Sequence, residues 1–169
     1  NLKYLGALKV MGKTEKALIR SVSEPELQKH RLGDDHYGVK RPYTFKHDEE
    51  SGTAVALVTL SQPLRRKQRC HRADQIRQCL ATLQVMATER LNVRKYKRKA
   101  YAEDQIRKQV LNKPGGKFLQ VELSGEDGHL SLSWRVDVEA LKEAMVLDGK
   151  FLLVTNDRTL SGAQMVARY

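Results

Sequence analysis

The chain is poor in several things. It has two cysteines, four prolines and 6% aromatic residues among 169. Two cysteines make no disulfide framework. Cys70 and Cys79 fall nine apart in a predicted helix, on one side but too far along the axis to bridge, so reduced thiols and a cytoplasmic setting are expected. Cys70-His71 is the one hint of a metal ligand pair. However, His30, His36, His47 and His129 lack ligand spacing, so no metal site is expected. No apolar run approaches the roughly 20 residues of a membrane helix. The opening NLKYLGALKV lacks the basic stretch and long apolar core of a signal peptide. It begins within a predicted strand and without Met, which suggests an excised piece.

Acidic residues are scarce where basic ones gather. The net charge is +11, and residues 63–113 hold 15 Lys/Arg against 4 Asp/Glu. The rest of the chain balances, so the whole excess sits in one segment. A charge gathered in this way makes a local field that a polyanion would feel.

About 40% of the residues are apolar and 30% charged, the make-up of a globular chain with one core. Residues 2–10 alternate as a strand and 13–20 read as a short helix. Ser23, Pro25 and Glu26 signal a second helix over 24–31, ended by Gly33. Residues 36–60 are rich in strand formers around the polar stretch His47–Gly52, which predicts a hairpin. From 64 to 112 there is neither Gly nor Pro. Ile76, Leu80, Leu83, Ala87 and Leu91 form one helical stripe, and Tyr96, Ala100, Ala102, Ile106 and Val110 a second. A break at Asn92 makes the pair a helical hairpin ended by Pro114-Gly115-Gly116. Residues 117–124 and 129–137 form another β-hairpin about a Gly125–Gly128 turn. Asp137 caps a helix, Asp148-Gly149 turns, and 150–157 is a strand buried on both faces. Ser161 with Gln164 makes a capping box for a last helix. The expected class is α+β, with two β-hairpins and a basic helical hairpin.

The last residues, LDGKFLLVTNDRTLSGAQMVARY, carry a resemblance. An Asp-Gly turn feeding a buried strand that ends in Thr-Asn, then a helix start and a Tyr, resembles DDE insertion-sequence transposases of the Y-R-E-K class. Asp148, Gly149, Thr155, Asn156 and Tyr169 match that pattern. In the family the pattern continues as Tyr, two residues, Arg, three residues, Glu, six residues, Lys. Here the Arg, the catalytic Glu and the Lys would fall after Tyr169.

The resemblance implies that residues 1–10 and 148–169 belong to a ribonuclease-H-like core and that 11–147 are an insertion domain placed before the Glu. The full enzymes use three carboxylates to hold two metals, Mg2+ or Mn2+, for in-line phosphoryl displacement in DNA transposition. The implied partner is double-stranded DNA at transposon ends, and a homodimer is possible in the full protein. In this chain Asp34-Asp35 and Glu49-Glu50 sit in turn-like polar contexts and read as solvated loop charges. No catalytic residue and no bound cofactor is therefore expected.

DNA contact is expected instead from two clusters. One is Arg65, Arg66, Lys67, Arg69 and Arg72; the other is Arg94, Lys95, Lys97, Arg98 and Lys99. Backbone contacts of this kind weaken steeply with salt. Trp134, the only tryptophan, is read first as core, with base stacking at a DNA end as the alternative, assisted by Arg135. Tyr96 and Tyr101 are helix-packing residues or packers on DNA sugars. Other readings are a nucleic-acid-binding α+β domain without enzymatic activity, and a protein-interaction domain for an acidic partner.

Overall fold

The structure is a computed structural model that describes residues 3–8, 12–47 and 50–169. It is a mixed α and β chain that divides into two compact units. The first comprises residues 1–67 and 146–169, and the second 68–145.

The first unit is built on a five-stranded antiparallel sheet. Its strands are β1 (Leu5–Leu8), β2 (Arg31–Gly33), β3 (His36–His47), β4 (Glu50–Ser61) and β7 (Lys150–Thr155), in the order β1-β7-β4-β3-β2. Two more strands, β5 (Leu119–Glu126) and β6 (His129–Val136), pair in the second unit. In the first unit, alternation along the strands sends side chains to two cores. Val58, Leu60 and Leu152 pack with Ile19, Val22 and Leu27 of the segment holding α1 (Lys13–Arg20) and α2 (Glu24–Gln28). Leu57 and Leu153 pack with Leu160 and with Met165 of α6 (Gly162–Arg168). Strand β7 is thus apolar on both faces, and Leu152 to Thr155 are all buried.

Local chemistry sets the helix ends. The Ser23 hydroxyl accepts from the Glu26 N–H, and Ser161 and Gln164 form a reciprocal capping box. The helix expected over 24–31 ends at Gln28, and Arg31–Gly33 pairs with β3. There the sheet edge outcompetes helix continuation, because Arg31 can pair with Tyr37 in the strand ladder. Of the strand expected over 2–10, Leu2, Lys9 and Val10 lie outside the described residues, as do Asp48 and Glu49 of the expected β3–β4 turn.

The division of the chain differs from the one expected at 11–147. The hairpin β3–β4 is hydrogen-bonded to β7 from Val55↔Thr155 to Leu60↔Lys150, so it completes the same sheet as the flanking strands. Where β4 ends, the Ser61 N–H donates to Gly149 O at 2.8 Å. Gly149 has φ 72°, and a Cβ there would lie 2.6 Å from both Ser61 O and Arg65 Cβ, so no side chain fits.

In the second unit, α3 (Gln62–Val85, starting in the first unit) is extended by a π-helical turn at Met86–Arg90. After a break, α4 (Lys99–Ile106) is likewise extended by Arg107–Leu111. Cys79, Leu83, Met86, Ile106, Val110 and Leu119 form the core, and Val121, Leu123, Leu132 and Trp134 of the β5–β6 hairpin pack on it. The helical stripes foreseen from spacing are largely the ones used, although Met86 rather than Ala87 is the fully buried residue of its turn. Gly115 lies against the backbone of Gln75, where a Cβ would come within 2.4 Å of Gln75 O. The Asp137 carboxylate accepts from the Ala140 N–H and caps α5 (Val138–Leu147), and that bond holds its pKa below the ordinary value.

Candidate nucleic-acid interface

The two basic clusters have different fates. In the first, Arg65 is only 7% exposed. Its Nη1 donates to Glu24 Oε1 at 2.6 Å and its Nε reaches Asp148 O at 3.5 Å. This arginine joins α2, the start of α3 and the α5–β7 turn inside the first unit. It is a packing residue, withdrawn from any DNA surface. Arg66 is exposed and lies 3.9 Å from Asp35, and Lys67 is exposed. Arg69 and Arg72 belong to the second unit, where the Arg72 guanidinium stacks over the Phe118 ring at 5.5 Å. The first cluster is therefore divided between the two units and partly consumed by structure.

The second cluster stays together. Arg94, Lys95 and Lys97 lie on a 3-10 turn, Arg94–Lys97, and Arg98 and Lys99 follow into α4. Arg94, Lys95, Lys97 and Arg98 are exposed and Lys99 is half-buried. No Asp or Glu interrupts residues 90–102.

What fixes this connector is Asn92. Its backbone is left-handed, φ 65°, which asparagine tolerates better than most residues. Its Nδ2 donates to Leu130 O at 2.8 Å, and its Oδ1 accepts from the Leu130 N–H at 2.7 Å. The side chain amide thus satisfies both polar groups of one β6 residue, as a neighbouring strand would. Three more bonds tie the connector to the hairpin tip. The Gly128 N–H donates to Lys97 O, the Lys99 N–H to Asp127 Oδ1, and Lys99 Nζ to Gly125 O. The cations project from a braced loop and not from a free one.

Beside them, Glu89, Arg90, Val93, Arg94, Lys95, Tyr96 and Tyr101 line an open notch of about 610 Å3. The two tyrosine rings meet edge to face, with centroids 5.1 Å apart at 89°. Arg90 Nη1 lies 3.5 Å from the Tyr96 hydroxyl and 3.4 Å from Gln109 Oε1. Arg90 was not singled out in the sequence, and Asn92 was singled out only as the break between two helices. Arg90 is inconspicuous among many arginines, and Asn92 reads only as a helix breaker.

Trp134 is half-buried against the second core, and its other side borders a shallow hollow with Gln120, Glu122 and Arg135. Arg135 Nε donates to Gln120 Oε1 at 2.7 Å. The resemblance residues are engaged within the first unit. Asp148 is buried. Thr155 Oγ1 donates to Tyr4 O at 2.5 Å, and Asn156 Oδ1 accepts from the Tyr4 N–H at 3.0 Å. Both lock the end of β7 to the segment entering β1. Tyr169 is exposed, its ring 6.4 Å from that of Phe151.

Among the described residues, no three His, Cys, Asp or Glu side chains are arranged to hold a metal ion. Cys79 is buried, which pushes its thiol pKa up and makes it a poor nucleophile, and Cys70 is exposed. No helix among the described residues is long and apolar enough to cross a membrane. Comparison of the chain with protein-family models, curated proteins and solved structures finds no match.

Proposed function

We propose that this chain is part of a DDE insertion-sequence transposase of the Y-R-E-K class, and that its own task is to hold double-stranded DNA without cutting it. The supporting observation is the Arg94–Lys99 connector, five cations in six residues on a loop that Asn92 braces to β6. Bracing matters because cations already ordered lose less freedom on meeting a phosphate backbone. The transposase assignment itself rests on Asp148, Gly149, Thr155, Asn156 and Tyr169. In this reading the flanking strands β1 and β7 belong to a ribonuclease-H-like core, and the catalytic carboxylates with their Mg2+ or Mn2+ act from elsewhere in the full protein.

The test is fluorescence anisotropy with a labelled duplex. Binding is expected in the micromolar range at about 50 mM salt, weakening sharply as salt rises. The double variant Arg94→Ala/Lys95→Ala should weaken it on every duplex sequence alike, since backbone contacts carry no sequence information. Absence of duplex binding at that salt would overturn the binding reading and favour an acidic protein partner. Addition of Mg2+ or Mn2+ should produce no cleavage. Cleavage abolished by a single Asp substitution would overturn the assignment of the chemistry to residues outside the chain.

A further inference from the structure

One face of the first unit's sheet is covered only in part. Directly paired residues share a face, and Lys40↔Leu57, Pro42↔Val55 and Thr44↔Thr53 follow one another along the β3–β4 hairpin on the side that carries α6. Leu57 is packed under Leu160 and Met165. Beyond it the cover ends: Val55 is half-buried, and Pro42, Thr44 and Thr53 are exposed. The uncovered stretch forms a groove of about 460 Å3. Arg158, in the turn after β7, reaches it at one end, where its Nη2 donates to Thr53 Oγ1 at 3.3 Å. Lys40 stands at the other end, where its Nζ donates to Leu160 O.

The two ends are cationic and the middle is apolar. Among the described residues, no Asp or Glu lines the groove. Lys40 and Arg158 each spend a donor on a neutral oxygen, so neither charge is cancelled there. Arg41 differs, because Glu26 pairs with it. Pro42 and Val55 form a floor between the cations, and a phosphate backbone has nothing apolar to place on it. The hairpin edge alongside is closed to an added strand. The Gly38 N–H points outward to His30 O, so by alternation Lys40 and Pro42 also face outward. Pro42 has no N–H, and Lys40 O already accepts from Arg41 Nη1 at 3.1 Å. A ligand is therefore held on the face by side chains.

We propose that this groove docks an acidic protein segment in extended form. One apolar side chain would sit on Pro42 and Val55, and a carboxylate on either side of it would meet Lys40 and Arg158. The spacing agrees. Rows two residues apart along β3 are roughly 7 Å apart, and so are alternate side chains of an extended segment. The pattern that fits is acid, apolar, acid at every second position. This site lies in the first unit and does not depend on the DNA reading of the connector.

The probe is a labelled peptide with glutamate, valine and glutamate at alternate positions and serine between them. Fluorescence anisotropy with the full chain at about 50 mM salt should show saturable binding, and a peptide with glutamine for glutamate should bind at least about fivefold more weakly. Lys40→Gln and Arg158→Gln change exposed residues. Each should weaken the acidic peptide about three- to fivefold and leave duplex DNA affinity within about twofold. Equal binding of the two peptides, or unchanged binding by both variants, would overturn the proposal. Equal losses of peptide and duplex affinity in the variants would make the groove a DNA contact and overturn it as well.

An acidic peptide is also drawn to the Arg94–Lys99 connector by charge. Amide shift mapping on the unaltered chain separates the two sites and does not rely on the variants folding. Shifts at Thr44, Thr53 and Val55 support the groove, whereas shifts confined to residues 94–99 sink it.

Discussion

Asn92 combines a backbone conformation that few residues accept with a side chain that binds both polar groups of Leu130. The two features separate by substitution. Asn92→Gly keeps the left-handed backbone easy but loses both bonds, and Leu130 is largely buried, so about 1–3 kcal/mol of stability should go. Asn92→Ala loses the same bonds and adds about 1 kcal/mol for the left-handed backbone. Urea unfolding should therefore rank wild type above Asn92→Gly above Asn92→Ala. The reverse order of the two variants would mean that the backbone is not held in this conformation in solution.

Asp157 gives a pH test. Hydrogen bonds from Thr159, then the pairing with Lys3, lower its pKa from 3.8 to about 2. A depressed carboxylate stabilises the fold fully above its unfolded pKa, near 4, and the contribution disappears as pH falls to about 2. Asp157→Asn should remove this part of the acid sensitivity. The urea midpoints of variant and wild type, measured from pH 5 to pH 2, should converge at the acid end.

At the scale of elements, the question is which basic residues belong to the fold and which to the surface. Arg65→Ala should cost about 2 kcal/mol. It removes a buried guanidinium from Glu24 and from the α5–β7 turn, and the cost is limited because Glu24 remains partly open to water. It should leave the salt slope of DNA binding unchanged. Arg94→Ala should do the opposite, with stability kept and the slope reduced by about one. Equal effects of the two on binding would erase the distinction.

This distinction was not legible in the sequence. Arg65 and Arg94 both stand in basic runs, and only the long-range approach of Glu24 and Gly149 to α3 separates them. Legible features were those whose causes are local. Ser161 with Gln164, the Asp137 cap, the Gly125–Gly128 turn and the break at Asn92 all declare themselves within a few residues. The second helix was carried past Gln28 to Arg31, and the short strand Arg31–Gly33 was missed, because its stabilising partner is a sheet edge and not a neighbour in sequence. The hairpin β3–β4 was recognised, but its pairing with β7 spans too much chain for any local pattern to reveal. The candidate interface was half legible: its cations were plain, and its brace was not.

At the scale of the whole molecule, the charge of +11 acts as a field. If four or five cations of the connector meet phosphates, log affinity should fall against log salt with a slope of about −4. The double variant Arg94→Ala/Lys95→Ala should reduce that to about −2, read from anisotropy titrations across a salt series. A slope near zero would mean that the excess charge does not serve nucleic acid.

The hydrogen bond from Ser61 to Gly149 has a consequence for how the molecule assembles. It marks the point where β4 ends and the chain, after an excursion through the whole second unit, returns to lie beside it. Pairing β4 with β7 across that excursion costs about 4 kcal/mol in loop closure before any contact repays it. The β3–β4 hairpin and the second unit are built from nearer neighbours. Refolding should therefore close the sheet last. In pulsed hydrogen exchange, amides protected by β7 should lag behind those of α4 and of the β5–β6 hairpin. Until that final closure, the apolar faces of β4 and β7 stand open to water, and that interval is when the chain is most prone to stick to its own kind.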